Sequence, residues 1–418
     1  MININTFKSS RGKLRLEKIL AKRRINQNVN ISIVSKILKD IKKNKNKAVI
    51  KYEKKFSNNN RIKPTSTEIN NAIKILDPKI KKAIDFAYNR ILKFHLLQKE
   101  KNIYYRDKLS NTIHYRSIPI KKVGVYVPAN LPSTLMMSAI PAKVAGVKNI
   151  ILANPRLDKK LNPAVIYVAK KLGIKEIHSV GGAQAIGSLT YIQKVDKIVG
   201  PGNIYVAKAK QEVFGDVGVE SMIAGPSEIT VVADKKSEIN TIITSLIGQA
   251  EHDVNSQCII ISKDLKVLKK IKKSINKNLS NLPRKKIALK SLKSNGLLIH
   301  ASNDKNVIDL INLIAPEHLE LNITKTKKYI KKIINAGSIC VGKYSAMAVT
   351  DYNVGTNHVL PTMGSARFSS GLSVRDFYKK ISYINLSKKG IEVIGKQAIT
   401  LAEYENLEGH AQSIKSRI

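Results

Sequence analysis

The sequence predicts an α/β protein in which parallel strands alternate with helices, and three observations carry that prediction. From residue 123 onward, short apolar runs bounded by Gly or Pro alternate with segments of ten or more residues at helical spacing, the pattern of parallel βαβ units. The chain has 418 residues, 43% of them hydrophobic, enough for two or three domains and too apolar for a mainly disordered protein. No apolar run reaches the length of a membrane-spanning helix, and MININTFKSSRGKLRLEKIL lacks the apolar core of a signal peptide. Only Cys258 and Cys340 are present, so no disulfide framework is expected and a reducing cytoplasm is the expected compartment.

The first 120 residues read as helix-rich and basic, with polar breaks at KNKNK near 44 and SNNNR near 57. Val123, Val125 and Val127 alternate and stop at Pro128, as a strand entering a loop would. LMMSAIPAKVAG follows as a helix, then NIILAN (149–154) as a strand, PAVIYVAKKLG as a helix and EIHSV as a strand. GGAQAIGSLTY opens a helix from a loop, and KIVGPGN leads into the helix IYVAKAKQEVFG. ITVVAD (229–234), QCIIIS (257–262) and GLLIHA (296–301) are further strands, each followed by a helix. Residues 123–234 thus form one set of units, inserted between flanking segments able to build a second. The last 45 residues read as helical and extended.

The formal charge of +44 raises nucleic-acid binding at once. Its distribution argues otherwise. Residues 263–294 carry twelve Lys or Arg and one acid, yet Leu265, Leu268, Ile271, Ile275 and Leu279 fall at helical spacing among them, giving an amphipathic helix with a solvated lysine face. Residues 221–260 are net acidic, and aromatic residues are 5% with no Trp, which leaves little for base stacking. No specific nucleic-acid partner and no membrane partner is expected.

The dinucleotide fingerprint G-x-G-x-x-G is absent, as is a phosphate loop ending in G-K-S/T. Gly200-Pro-Gly202-Asn-Ile-Tyr205 comes nearest, with Tyr in place of the third glycine, and Gly181-Gly182-Ala-Gln184 has a different spacing. Both turns lie between strand and helix, where ligands bind in open α/β sheets, and both also read as ordinary turn glycines. Polar clusters stand out elsewhere. Gln249 and His252 are three apart at the end of an apolar helix, so both can face one ion or substrate. Glu317 and His318 are adjacent after Pro316, a carboxylate–imidazole pair suited to general acid–base chemistry. Asp351 through His358 form a polar turn, and Glu405 and His410 a cluster near the C-terminus. His252, Asp351 and His410 are ligand types that zinc accepts from separate segments, although each alone reads better as a hydrogen-bonded surface or core residue. Cys258 and Cys340 read as small buried apolar residues.

Taken together, VGVYVPAN, PSTLMMSAIPAKVAGV, VGGAQAIGSL, KVDKIVGPGNIYVAKAK, MIAGPSEI, LIGQAEHDVNSQ, APEHLEL, DYNVGTNHVLPT, ARFSSGLSVRDF and the final EGH closely resemble the histidinol dehydrogenase family, in the family's order from about residue 120 to the C-terminus. The resemblance implies two incomplete Rossmann-like domains of aldehyde-dehydrogenase type with small N- and C-terminal helical extensions. On that reading 1–22 is an extension, 23–122 with 235–372 the domain carrying most zinc and catalytic residues, 123–234 the NAD-contacting domain, and 373–418 a C-terminal extension. It implies oxidation of L-histidinol to L-histidine through the aldehyde, the last step of histidine biosynthesis, with one zinc per subunit and two NAD⁺ consumed. Gln249, His252, Asp351 and His410 match the zinc ligands, and Glu317 and His318 the catalytic pair. Ser227, His358 and Glu405 match further substrate contacts, and Tyr126, Gln184 and Asn203 match NAD contacts. The family is a homodimer whose C-terminal segment enters the partner's site, which puts Glu405 and His410 in trans. One departure stands out: Ala129-Asn130 replaces the pair of glycines usual after Tyr126-Val-Pro128, which puts cofactor affinity in question.

Overall fold

The computed structural model describes residues 2–7, 10–25, 32–220, 225–280 and 282–418. Its largest sheet has six parallel strands in the spatial order Ile4–Thr6, Leu297–His300, Gln257–Ser262, Glu228–Ala233, His318–Asn322 and Ser338–Val341. EITVVA and QCIIIS are buried at every position, as strands covered on both faces must be. Alternate residues feed two cores. Ile229, Val231, Cys258 and Ile260 pack with helices Ile239–Ala250 and Leu265–Leu279, while Val232, Ile259, Ile261 and Leu319 pack with helix Asp304–Ile314.

The second sheet has five parallel strands, ordered Glu176–His178, Asn149–Ala153, Lys122–Tyr126, Lys197–Val199 and Gly218–Val219. Val123 and Val125 face the core built with helix Pro132–Ala145; Tyr126 and Ile151 face that built with helices Gly182–Tyr191 and Ile204–Val213. Counted along the chain from Lys122–Tyr126 in one sheet and from Glu228–Ala233 in the other, both sheets run 3-2-1-4-5. That is the dinucleotide-fold order without its sixth strand, so the chain holds two incomplete Rossmann-like units. A third, antiparallel sheet pairs Thr112–Pro119 with both Ile103–Arg106 and Tyr378–Asn385, and leads into the C-terminal helices Lys388–Tyr404 and Glu408–Lys415.

Packing divides the chain differently from the boundaries expected above. Ile4–Thr6 is no separate extension, because it pairs with Leu298–His300 at the edge of the larger sheet. Glu228–Ala233 belongs to the larger sheet too, paired on one side with Gln257–Ser262 and on the other with His318–Asn322. The helices between 32 and 96 cover the smaller sheet's unit instead: Val34, Ile37 and Ile41 share a core with Ile186, and Ile84 and Ile91 share one with Leu135. These helices are amphipathic, and the apolar faces open to them lie on that unit. KNKNK marks a break between two helices, as expected. The two helices within Ser32–Ser57 meet at Lys45, whose φ of 51° and ψ of −132° are not helical, with Ile41 and Val49 buried on either side. In the lysine-rich helix, Leu268, Ile271, Ile275 and Leu279 are buried as expected, but Leu265, in the first turn, is exposed and Val267 is buried instead.

Candidate active site

The two units offer opposite ends of their strands to the site residues. Tyr126 ends the strand Lys122–Tyr126, Gln184 follows the strand Glu176–His178, and Asn203 follows Lys197–Val199, all at carboxyl ends. Ser227 precedes Glu228–Ala233, His252 precedes Gln257–Ser262, and His318 begins His318–Asn322, all at amino ends. Tyr126 and Asn203 flank the junction between first and fourth strands at the carboxyl ends of the smaller sheet, where open α/β sheets bind ligands, and Ser227 and His318 flank the same junction at the amino ends of the larger one. Contacts join the units there: Thr134 Oγ1 stands 3.5 Å from His358 Nε2, and Asn357 Nδ2 donates to the Met137 carbonyl at 2.6 Å.

The structure gathers Glu317, His318, Asp351, His358 and His252 into one cluster. His318 Nε2 lies 3.9 Å from Glu317 Oε1 and 3.8 Å from Asp351 Oδ1, close enough for attraction and too far for hydrogen bonds. His358 Nδ1 donates to the Asp351 carbonyl at 2.8 Å, which fixes its ring and tautomer. Burial holds the His318 imidazole down to about 3, and the nearby His358 and His252 add to that. His358 is held down to about 4, again by burial first. Both rings are therefore neutral near pH 7, the form that accepts a proton. Burial pushes Glu317 well above the carboxylate range against the hydrogen bond it accepts from Glu228 N at 2.8 Å, and Glu228 and Asp351 push it further. Asp351 rises to about 7 through burial alone.

Gln249 lies at the end of its helix, 1% exposed, and its Nε2 is buried without a hydrogen-bond partner, as is His318 Nδ1. Amide oxygen and nitrogen are interchangeable assignments, so an orphaned Gln249 amide at this point is a free ligand group. His252 follows three residues later, its N–H bonded to the Gln249 carbonyl. An orphaned amide, an imidazole and a carboxylate that burial deprives of solvation make a donor set suited to zinc. Among the described residues, no group of three or more His, Cys, Asp or Glu within the chain could hold a metal ion. His410 and Glu405 are exposed on the C-terminal helical segment and make no hydrogen bond or ion pair with this cluster among the described residues. Ser227 is half-buried, its carbonyl taking the Gln257 N–H at 3.0 Å.

In the smaller unit, Tyr126 is buried, its phenol pushed up to about 12 by that burial, with the Gly182 N–H directed at its oxygen. Gln184 Nε2 donates to Glu53 Oε1 at 2.7 Å, and Gly181 N donates to the same oxygen at 2.8 Å. Asn203 caps helix Ile204–Val213, accepting from Tyr205 N and Val206 N at 3.1 Å each. The loop at Ala129-Asn130 is held by Asn154, whose Nδ2 donates to the Val127 and Pro128 carbonyls at 3.0 Å. Sequence reasoning missed Glu53, Glu228, Glu320 and Thr134, all buried here. Glu53 had a signal: with Val49 and Tyr52 it falls on the apolar stripe of its helix.

Two Rossmann-like units and a buried carboxylate–imidazole pair define an α/β enzyme with an acid–base site at the amino end of a strand of its larger sheet. The family model for histidinol dehydrogenase matches residues 20–418. The histidinol dehydrogenase of Pelagibacter ubique is 56% identical, with 100% of this chain and 99% of that protein covered; the one from Acinetobacter baylyi is 39% identical over 96% and 95%. The crystal structure of histidinol dehydrogenase from Elizabethkingia anophelis superposes with a TM-score of 0.93 at 37% identity, covering 100% and 98% of the two chains. The chain belongs to the histidinol dehydrogenase family, and by that membership it is an oxidoreductase.

Proposed function

We propose that this chain catalyses the zinc-dependent, NAD-linked oxidation of L-histidinol to L-histidine through L-histidinaldehyde, the final step of histidine biosynthesis, as a cytoplasmic homodimer. The balance is one histidinol, one water and two NAD⁺ giving histidine, two NADH and three protons. The observation that carries the reading is the neutral, buried His318 beside Glu317, with His252, His358 and Asp351 converging on them in a chain of this family. Gln249, His252 and Asp351, with His410 of a second copy, would hold the zinc, while Tyr126, Gln184 and Asn203 would contact NAD⁺. When bound, the metal supplies Lewis-acid anchoring of the substrate's amine and imidazole nitrogens, and NAD⁺ supplies the hydride acceptor.

Loss of hydride from an alcohol carbon requires its hydroxyl proton to leave. His318, with its hydrogen on Nδ1, takes that proton at Nε2, and Glu317 and Asp351 stabilise the resulting imidazolium. The aldehyde must then gain water before it can be oxidised again. Glu317 Oε1 holds and deprotonates that water as it adds, the His318 imidazolium returns its proton to the aldehyde oxygen, and the neutral His318 then takes the hydrate's proton in the second oxidation. His358 and Glu405 read the far side of the substrate imidazole, and Ser227 contacts it from the head of its strand. The exposed Tyr104, Ile384, Leu401 and Tyr404 supply apolar surface for a second copy, which would bring Glu405 and His410 to the neighbouring site. NADH absorbance tests the whole reading. Two NADH per L-histidinol, lost with a chelator and recovered with zinc, is the expected result; no NADH from zinc-loaded protein overturns it.

A further inference from the structure

Glu320 lies two residues after His318 on the strand His318–Asn322, so both side chains leave the same face of the sheet. It is 5% exposed, and none of the groups that set its protonation is a lysine or arginine. One oxygen does the work of a junction. Glu320 Oε1 accepts from Ser245 Oγ at 3.1 Å and from Met347 N at 2.7 Å. Ser245 is one turn before Gln249 on helix Ile239–Ala250, hence on the same helical face. Met347 is the first residue of the short helix Met347–Thr350, whose C-cap is Asp351. The N-cap of that helix is Ala346, which has no side-chain acceptor, so the remote Glu320 satisfies an N–H that the local sequence leaves open.

We infer that Glu320 is a positioning residue for the metal site: its Oε1 ties the helix bearing Gln249 and the helix ending at Asp351 to the strand bearing His318. This rests on the zinc reading proposed above. Removing the acceptor frees both helices to shift at the point where two ligand side chains must meet one ion, while no atom that touches metal or substrate is changed.

The experiment is zinc competition with a chromogenic chelator, run on full-length protein alongside thermal melts for wild type, E320A, E320Q and S245A. Wild type should bind one zinc per subunit. E320A should hold zinc about 10–100-fold more weakly, the usual scale for outer partners of metal ligands. E320Q keeps an acceptor oxygen and should stay within a few-fold of wild type, and S245A should fall several-fold with an unchanged melting temperature. E320A retaining wild-type zinc affinity overturns the assignment, as does E320Q falling as far as E320A. Should E320A fail to fold, S245A decides, and wild-type affinity there overturns it. Wild-type protein that binds no zinc brings down the zinc reading itself, a result distinct from either variant's outcome.

Discussion

Mixing two dead variants tests whether the C-terminal segment completes the site of a second copy. H318N removes the proposed base, and H410A removes the residue exposed on the C-terminal helix Glu408–Lys415. His318 heads a strand of the larger sheet, whereas His410 lies beyond the antiparallel sheet, so the two changes spoil different halves of the molecule. In a two-fold dimer with sites shared in trans, a heterodimer has one site carrying both defects and one carrying neither. Equal amounts reassociated at random give about half heterodimers, each with one working site of two, so activity should recover to about a quarter of wild type. The assay is NADH formation from L-histidinol after co-refolding or co-expression, with wild type treated identically. Sites completed within one chain would leave every heterodimer site with one defect. A mixture as inactive as its parents would therefore refute the trans arrangement.

The two catalytic roles separate by substrate. H318N should abolish NADH formation from histidinol while zinc content stays at the wild-type level; near-normal aldehyde formation would rule out the base. E317Q should spare aldehyde formation and slow oxidation of supplied histidinaldehyde by about 10²–10⁴-fold, the usual worth of a general base, and an unaffected second step would rule out water activation. Acid stability should follow Asp40 and Glu68. The hydrogen bond from Lys51 holds Asp40 at about 2, and that from the Thr65 N–H holds Glu68 at about 2. Both carboxylates are depressed, so the stability they add is whole above the unfolded carboxyl range near pH 4 and is lost as pH falls toward 2. Urea midpoints for D40N should fall less steeply over that window than those of wild type; parallel curves would contradict the assignment. In G200A, a Cβ at φ 108° would point onto the Tyr126 carbonyl oxygen, so the strand end must shift. Its KM for NAD⁺ should rise and its melting temperature fall, and wild-type values for both would show that the turn tolerates a side chain.

Lys122–Tyr126, Asn149–Ala153, Glu176–His178, Gln257–Ser262 and Leu297–His300 were legible because buried parallel strands leave short apolar runs closed by Gly or Pro, whereas Gly218–Val219 and His318–Asn322 were not read as strands. Glu228–Ala233 read correctly as a strand, yet its sheet could not be read, since its partners begin at residues 257 and 318. Ile103–Arg106 and Tyr378–Asn385 were hidden for a related reason. Tyr378–Asn385 pairs with Thr112–Pro119 more than 250 residues away, and both it and Ile103–Arg106, which pairs locally with that same strand, lie exposed along nearly their whole length and lack the alternation of a half-buried strand. At the site, Glu317 and His318 stood out by adjacency and Gln249 and His252 by spacing, and His252, Asp351 and His410 as ligand types, whereas the complete zinc set and the NAD positions came from resemblance. Glu53, Glu228 and Glu320 went unseen because an acid in a chain that is 25% charged reads as surface. Their burial becomes visible only when Gly181 N, Met363 N and Met347 N are found pointing at them.

The opposed strand ends also set an electrical polarity. Helices Pro132–Ala145, Gly182–Tyr191 and Ile204–Val213 start beside the smaller unit's site residues, so their amino ends, each worth about half a positive charge, look toward the gap. Helices Ile239–Ala250, Asp304–Ile314 and Met347–Thr350 finish just before His252, Glu317 and Asp351, so carboxyl ends look in from the other side. Glu53 and Asn203 occupy some of the former amides, which softens the contrast without reversing it. On the proposed reading, the doubly anionic pyrophosphate of NAD⁺ and a cationic metal–amine group would meet backbone fields of opposite sign. Backbone charge alone would then orient those two reactants end to end, ahead of any side-chain contact.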